Sequence, residues 1–321
     1  MLMDNSEMLS VSEIRNMQMR DAFISKLYEK VKHDKDIVII SNDYGAVSLD
    51  KFRNDFPDQY INAGVSEQNI ISMAAGMAIA GKKVFVYSIA SFIVTRCLEQ
   101  IKIDICSQQL PVKIIAVGAG YAYSEDGPTH HACEDIAIMR TLDGMQIYSP
   151  SNAVMTSNLV DISLDTSMPM YIRMDKGIYS NFKEDINYDL GLDFDSLGND
   201  LCIISTGTIH NVAIDLSRIL FENGIRSTVV DIFRLKPLNT KLLSKILEDH
   251  AHVVTIEEHT LNGGLGSIVG DHILDNALNC ALKRFGIIEG GIYVYGVREE
   301  VRKKLGLNAL DMSTSVVDWL K

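Results

Sequence analysis

Residues 61–88 read INAGVSEQNIISMAAGMAIAGKKVFVYS, a helix pattern running into a strand pattern. From Glu67 to Ala80 the stretch has the length and spacing of a helix, and it is full of small residues: Ala74, Ala75, Gly76, Ala78 and Ala80. Small side chains let such a helix press closely on a neighbouring sheet or subunit. Lys83 to Ser88 (KVFVYS) is a short apolar run that reads as a buried strand.

The same alternation extends outward. Asp36 to Ile40 (DIVII), Lys113 to Val117 (KIIAV) and Met170 to Arg173 (MYIR) read as further buried strands. A helix is expected over 92–108, with Phe92, Arg96, Gln100 and Asp104 on one stripe. Ile93, Cys97, Ile101 and Ile105 form the apolar stripe beside it. Strands alternating with helices imply parallel pairing with helices on both faces of the sheet. From Gly177 to Asp200 the chain turns rich in Asn, Asp, Gly and Ser, which reads as a linker. A second α/β pattern follows. Its strands are expected at Leu201 to Ser205, Ser227 to Ile232, His252 to Ile256 and Ile292 to Tyr295 (IYVY), with helices near 211–223 and 240–248. The expected division is a first domain over 1–185, a linker over 186–200 and a smaller second domain over 201–321.

At 321 residues the chain is long enough for two such domains, each with its own core. Its 47% hydrophobic and 22% charged content is that of a globular protein. The net charge of -12 argues against a nucleic-acid or anionic-membrane surface and is read as serving solubility. The five cysteines are scattered without a CxxC pair, so neither a disulfide framework nor a zinc site is suggested. No apolar run approaches roughly 18 residues and the N-terminus lacks a signal-peptide core, so a cytoplasmic protein without a membrane span is expected.

Three segments carry candidate chemistry. Glu67 opens the first helix, where backbone N–H groups favour a carboxylate; taken alone it is no more than a helix-start acid. Glu125-Asp126-Gly127-Pro128-Thr129-His130-His131 follows a strand, where α/β sheets place ligands. Asp126 and the histidines offer bonds to a polyhydroxylated substrate or acid–base groups; a turn capped by Asp126 is the plainer alternative. Arg173, at a strand end, reads equally as a grip for phosphate or as an ordinary ion pair.

In order and spacing, these segments together with YIRMDKG (171–177), LCIISTGTIHNVAIDLSRILFENGIRSTVVDIFRLKPLN (201–239) and IEEHTLNGGLG (256–266) resemble the transketolase family, in particular the C-terminal subunit of split transketolases. The resemblance covers nearly the whole chain. It implies a thiamine-enzyme pyrimidine-binding domain, a parallel sheet with helices on both faces, followed by the family's smaller C-terminal α/β domain. It further implies that Glu67 touches N1′ of the aminopyrimidine of thiamine diphosphate and shares a proton with it. By the same resemblance Phe92 stacks on the pyrimidine, Asp126 and His130 bond the hydroxyls of the donor, and Arg173 contacts a substrate phosphate. Asp43, in SNDYG after the first strand, lies in a loop that relatives point at the cofactor. His259 and the glycines 263, 264 and 266 match a segment near the contact between chains and read as structural.

Two departures bear on what is missing. The Gly-Asp-Gly that such enzymes use to hold Mg²⁺ beside the diphosphate is absent; Gly270-Asp271-His272 is the nearest match and reads as part of a helix. The resemblance therefore implies a separate N-terminal subunit that carries the diphosphate and Mg²⁺ site, with two copies of each chain. Gly118, in the loop GAGYAY, stands where many relatives have a phosphate-contacting histidine, and Val47 or Ser48 stands where they have a serine. Recognition of a sugar phosphate then rests on Arg173, with Tyr121 and Tyr123 reading equally as stacking groups for a sugar or as packing. The activity implied is transfer of a two-carbon ketol unit from a ketose to an aldose. The alternatives are a deoxyxylulose-phosphate synthase-like subunit, a 2-oxoacid dehydrogenase beta-like subunit, or a non-catalytic scaffold that kept the fold.

Overall fold

The computed structural model describes residues 9–43, 47–179, 183 and 185–321. Continuous apolar runs become central strands because both of their faces are covered. β1 (Ile37–Ser41), β3 (Lys83–Ile89), β4 (Lys113–Val117) and β6 (Met170–Met174) form the middle of the first sheet, and β1, β4 and β6 are buried along their whole length. Short strands β2 (Tyr60–Asn62) and β5 (Gln146–Tyr148) flank them. β7 (Asp193–Ser196), β8 (Leu201–Ser205) and β9 (Ser227–Asp231) open the second sheet. β10 (Arg234–Lys236), β11 (His252–Thr260) and β12 (Ala281–Ile287) complete the set. The first sheet has the order β10-β5-β6-β4-β3-β1-β2 and the second β12-β11-β8-β9-β7. All neighbours run parallel except β10 on β5 and β7 on β9.

The first sheet therefore borrows its edge strand β10 from the chain that follows β9, which ties the second half of the molecule onto the first. Lys236 strengthens the seam by donating to the carbonyls of Arg140 and Leu142 at 2.9 and 2.6 Å. Parallel strands also bring their carboxyl ends to one edge. Asn42-Asp43 after β1, Gly64 after β2, the helix Ala90–Arg96 after β3, the GAGYAY loop after β4 and Asp175-Lys176 after β6 thus share one rim.

Three elements differ from expectation. The helix expected over 92–108 is divided into Ala90–Arg96, Leu98–Gln100 and a π-helical stretch Ile101–Cys106. The stripe Ile93, Cys97, Ile101, Ile105 is fully buried. Its four-residue spacing would drift about 40° per step around a regular helix; the wider π turn keeps it against the core. Within the stretch read as linker, Asp193–Ser196 is an edge strand of the second sheet. Finally, Ile292–Tyr295 is no strand. It lies between Gly291 and Gly296, and Tyr293 and Tyr295 stay exposed. The strand of that region is β12, ALKRFGI, whose charges suit an edge position.

Candidate active site

The helix Glu67–Ile79 begins after Ser66, whose side chain makes no capping bond, and Glu67 is the acidic residue of its first turn. Glu67 is only 3% exposed. Arg96, at the last turn of Ala90–Arg96, donates from Nη1 to Glu67 Oε2 at 2.8 Å. The same guanidinium lies over the Phe92 ring, 4.9 Å from its centroid. Phe92 is half-buried and meets His130 edge-on at 5.0 Å. His130 holds the Thr129 hydroxyl at 3.0 Å through Nδ1 and meets the Tyr123 ring at 6.2 Å. Lys176 completes the run, its Nζ 4.4 Å from the Tyr123 centroid.

The structure thus joins Glu67, Phe92 and His130, three of the residues singled out in the sequence, through Arg96. Asp126 sits exposed on the same turn as His130, its N–H bonded to the Tyr123 carbonyl at 3.1 Å and the turn made possible by Gly127 at φ 81°. Asp43 is exposed on the β1 side of the rim and accepts a bond from Asn62 at 3.2 Å. Val47 is exposed, and Ser48 donates to Asp21 at 2.9 Å.

Arg173 requires a correction. Its strand is an interior one, so the side chain points into the molecule and is 4% exposed. Nε donates to Asp135 at 2.8 Å, and Nη2 donates to the carbonyls of Ala132 and Glu258 at 3.2 and 3.0 Å. A buried cation must be met in this way. Its charge is met inside the chain, so the ion-pair reading is the one this geometry carries.

The GAGYAY loop divides its two tyrosines between packing and the rim. Tyr121 is fully buried, donates to the Gly291 carbonyl at 2.7 Å and stacks edge-on with His131 at 4.9 Å. Tyr123 is half-buried and, with Ser124, Glu125, Asp126, Asp175, Lys176 and Arg298 among its neighbours, lines a cavity of about 300 Å³. Both glycines of the loop are required. At Gly118 (φ 104°) an added Cβ would stand 2.4 Å from the Tyr123 ring, and at Gly120 (φ 56°) 2.6 Å from the Glu258 carboxylate.

Glu258 reaches across from β11 to accept the N–H of Tyr121 at 2.5 Å and the guanidinium of Arg298 at 2.9 Å. Arg298 also bonds Asp175 Oδ2 at 2.6 Å. Burial alone would raise the Asp175 carboxyl, but the Arg298 guanidinium and bonds from Thr208 and Gly177 outweigh it and hold the group at about 2. His259 is fully buried, with Nδ1 on its neighbour Thr260's carbonyl at 2.7 Å, and burial pushes it down to about 4, so it is a neutral structural group. Glu257 caps the helix Leu265–Asp275 through the N–H groups of Leu265 and Gly266, at 2.6 and 2.8 Å.

Several residues of the rim carry no sequence signal of their own. Arg96 stands four residues from Phe92, which puts the two on one helical face. Arg20, beside Tyr87 and Tyr123 and bonded to Asp21 at 2.8 Å, is one basic residue among many at a helix start. Lys176 lies in YIRMDKG, where the resemblance singled out Arg173 instead.

Fold and rim together define a two-domain α/β chain, a pyrimidine-binding domain followed by a transketolase-type C-terminal domain. Residues 15–181 match the family described as the transketolase pyrimidine-binding domain, and residues 192–312 match the transketolase C-terminal domain. The chain belongs to the transketolase family, in the part that split members carry as a C-terminal subunit. It is 35% identical over 308 residues to a protein of Phocaeicola vulgatus named as one of the subunits of an apulose-4-phosphate transketolase, covering 94% of this chain and 97% of that one. A protein of the same name from Actinobacillus succinogenes is 31% identical over 298 residues, covering 92% and 94% of the two chains. A solved structure titled "Split gene transketolase, inactive beta4 tetramer" superposes with a TM-score of 0.85 at 31% identity, covering 95% of this chain and 98% of that one.

Among the described residues no group of three or more His, Cys, Asp or Glu is placed to hold a metal ion. Among them, too, no helix is long and apolar enough to cross a membrane.

Proposed function

We propose that this chain is the C-terminal subunit of a thiamine-diphosphate-dependent ketol transferase that works with an N-terminal partner chain. The observation that carries this reading is the unbroken run of contacts from Glu67 through Arg96 and Phe92 to His130. A buried carboxylate at a helix start, near a half-open aromatic ring, fits the pyrimidine half of the cofactor. Glu67 would hold the ring nitrogen and share its proton, Phe92 would stack on the ring, and Asp43 would approach from the β1 side. When bound, the cofactor supplies a carbon nucleophile and a sink for the electrons of the broken carbon–carbon bond. Arg96 fixes the direction in which the Glu67 carboxylate points, and Asp126 and His130 bond the hydroxyls of a ketose.

The diphosphate and Mg²⁺ have no matching Gly-Asp-Gly in this sequence, so the partner chain is the proposed source of those ligands. Two copies of each chain make the working assembly. The inactive beta4 tetramer of the split-gene relative supports self-association of this kind of chain and its dependence on another one. The 4-phosphate in the names of the two relatives supports a sugar phosphate as substrate. Calorimetric titration of thiamine diphosphate with Mg²⁺ tests the reading. Binding is expected only when the N-terminal subunit is mixed in; tight binding to this chain alone would sink the shared-site proposal.

Asp126→Ala in the two-chain enzyme is expected to lower kcat by roughly tenfold to a hundredfold with a smaller change in KM, because a bond that strengthens as charge develops is lost. Steady-state kinetics with a thermal melt decide it: an unchanged kcat with a lowered Tm would assign Asp126 to the turn.

A further inference from the structure

The amino ends of the parallel strands lie opposite the rim, and there Lys113 opens β4. The residue is 4% exposed, so its ammonium has been taken out of water. A buried cation is ordinarily met by a carboxylate. Among the described residues none pairs with Lys113. Nζ donates instead to three backbone carbonyls, those of Pro111, Thr166 and Met168, at 2.9, 3.0 and 3.1 Å. Three N–H groups meet three acceptors, a match that the charged form alone makes, since a neutral amine has one N–H fewer. Burial pushes the group down to about 7, and the three bonds act in the opposite direction.

The three carbonyls come from two places in the chain. Pro111 precedes β4. Thr166 ends the helix Ala153–Asp165, and Met168 lies in the turn that leads into β6, the neighbour of β4. That helix has no basic residue in its last turn, so Lys113 supplies from another element the positive charge that a helix C-terminus favours. Rings of backbone carbonyls are also the ligands that replace the water shell of a dehydrated monovalent cation. Lys113 lies on the wall of a cavity of about 250 Å³, whose lining includes Ser163, Thr166 and the exposed Asp165 and Ser167. The cavity gives the cradle room for water and a path from solvent. Lys83, the other cation of that wall, is paired with Asp34 at 2.8 Å.

We propose that the carbonyls of Pro111, Thr166 and Met168 form a monovalent-cation site that this chain fills with the ammonium of its own Lys113, so that the passage from the helix Ala153–Asp165 into β6 is held without a bound ion. Emptied of the lysine, the cradle takes K⁺, with water from the cavity completing its coordination.

Thermal melts of the full chain in KCl and in choline chloride, at the same ionic strength of about 0.1 M, test this. Wild type is expected to melt at the same temperature in both salts, within about 1 °C. Lys113→Ala, which vacates the cradle, should melt below wild type in choline and recover about 2–4 °C in K⁺, the shift for a cation in roughly tenfold excess over its Kd. Lys113→Met fills the space without charge, so it should be destabilised in both salts and indifferent to K⁺. Identical melts of Lys113→Ala in the two salts would overturn the proposal. A K⁺ gain of equal size in Lys113→Met or in wild type would overturn it too, by placing the ion elsewhere. If Lys113→Ala does not stay folded in choline, refolding yield replaces the melt. A higher yield in K⁺ supports the site, and equal yields reject it.

Discussion

Glu67→Gln in the reconstituted two-chain enzyme is expected to lower turnover by a factor on the order of 10²–10⁴ while leaving the assembly and its melting temperature close to wild type. The substitution keeps the shape of the side chain and an oxygen for the Arg96 bond of 2.8 Å. It removes the ability to take and return a proton, together with the negative charge opposite Arg96. The side chain is 3% exposed, so bulk solvent has little access to replace it as a proton carrier. A loss confined to turnover, with cofactor still bound in a titration, is the signature of a group that shares a proton with the cofactor. Unchanged turnover would sink that role. A collapse of the assembly would instead make Glu67 an anchor for the Arg96 and Phe92 face of the chain.

How far the site was legible in the sequence follows from the range of each interaction. The central strands β1, β4 and β6 are readable because burial on both faces writes an uninterrupted apolar run. Glu67 and the Asp126-to-His130 turn are readable because each sits at a local boundary, a helix start or a glycine turn, where chemistry and backbone geometry leave a short pattern. Arg173 misleads for the same local reason. A basic residue closing an apolar run looks like a strand end facing solvent, yet the partners that bury it come from Asp135 and the carbonyls of Ala132 and Glu258. The seat of Lys176 is set by Tyr123, in the loop after a different strand, and by the glycine beneath that ring. The polar edge strand β12 and the half-exposed IYVY segment invert the usual link between apolarity and sheet, because edge position and flanking glycines override propensity.

The tie between the two domains lies furthest from sequence patterning, and it carries the second large expectation. Arg298 bonds Asp175 at a separation of 123 residues and Glu258 at 40. Both carboxylates are buried, at 1% and 4% exposure, so Arg298→Met would leave two negative charges inside the protein with one cation fewer. Arg302 still reaches Glu258 at 2.5 Å, but among the described residues Asp175 keeps the Thr208 hydroxyl and the Gly177 N–H alone. Breaking a buried pair from one side destabilises by about 3–5 kcal/mol, and that is the expected loss for Arg298→Met in urea unfolding of the full chain. The pH dependence should change with it. In the wild type the folded Asp175 is held at about 2, below its unfolded value. Its contribution, about 2 kcal/mol, is present above about pH 4 and is lost as the pH falls toward 2. In Arg298→Met burial is no longer outweighed and the folded carboxyl rises above its unfolded value, so this group's acid-side loss should reverse, with protonation at falling pH now recovering stability. Adding Asp175→Asn to Arg298→Met should recover part of the stability, because it removes one of the stranded charges. If the double variant is no more stable than the single, the clamp works by packing and not by charge.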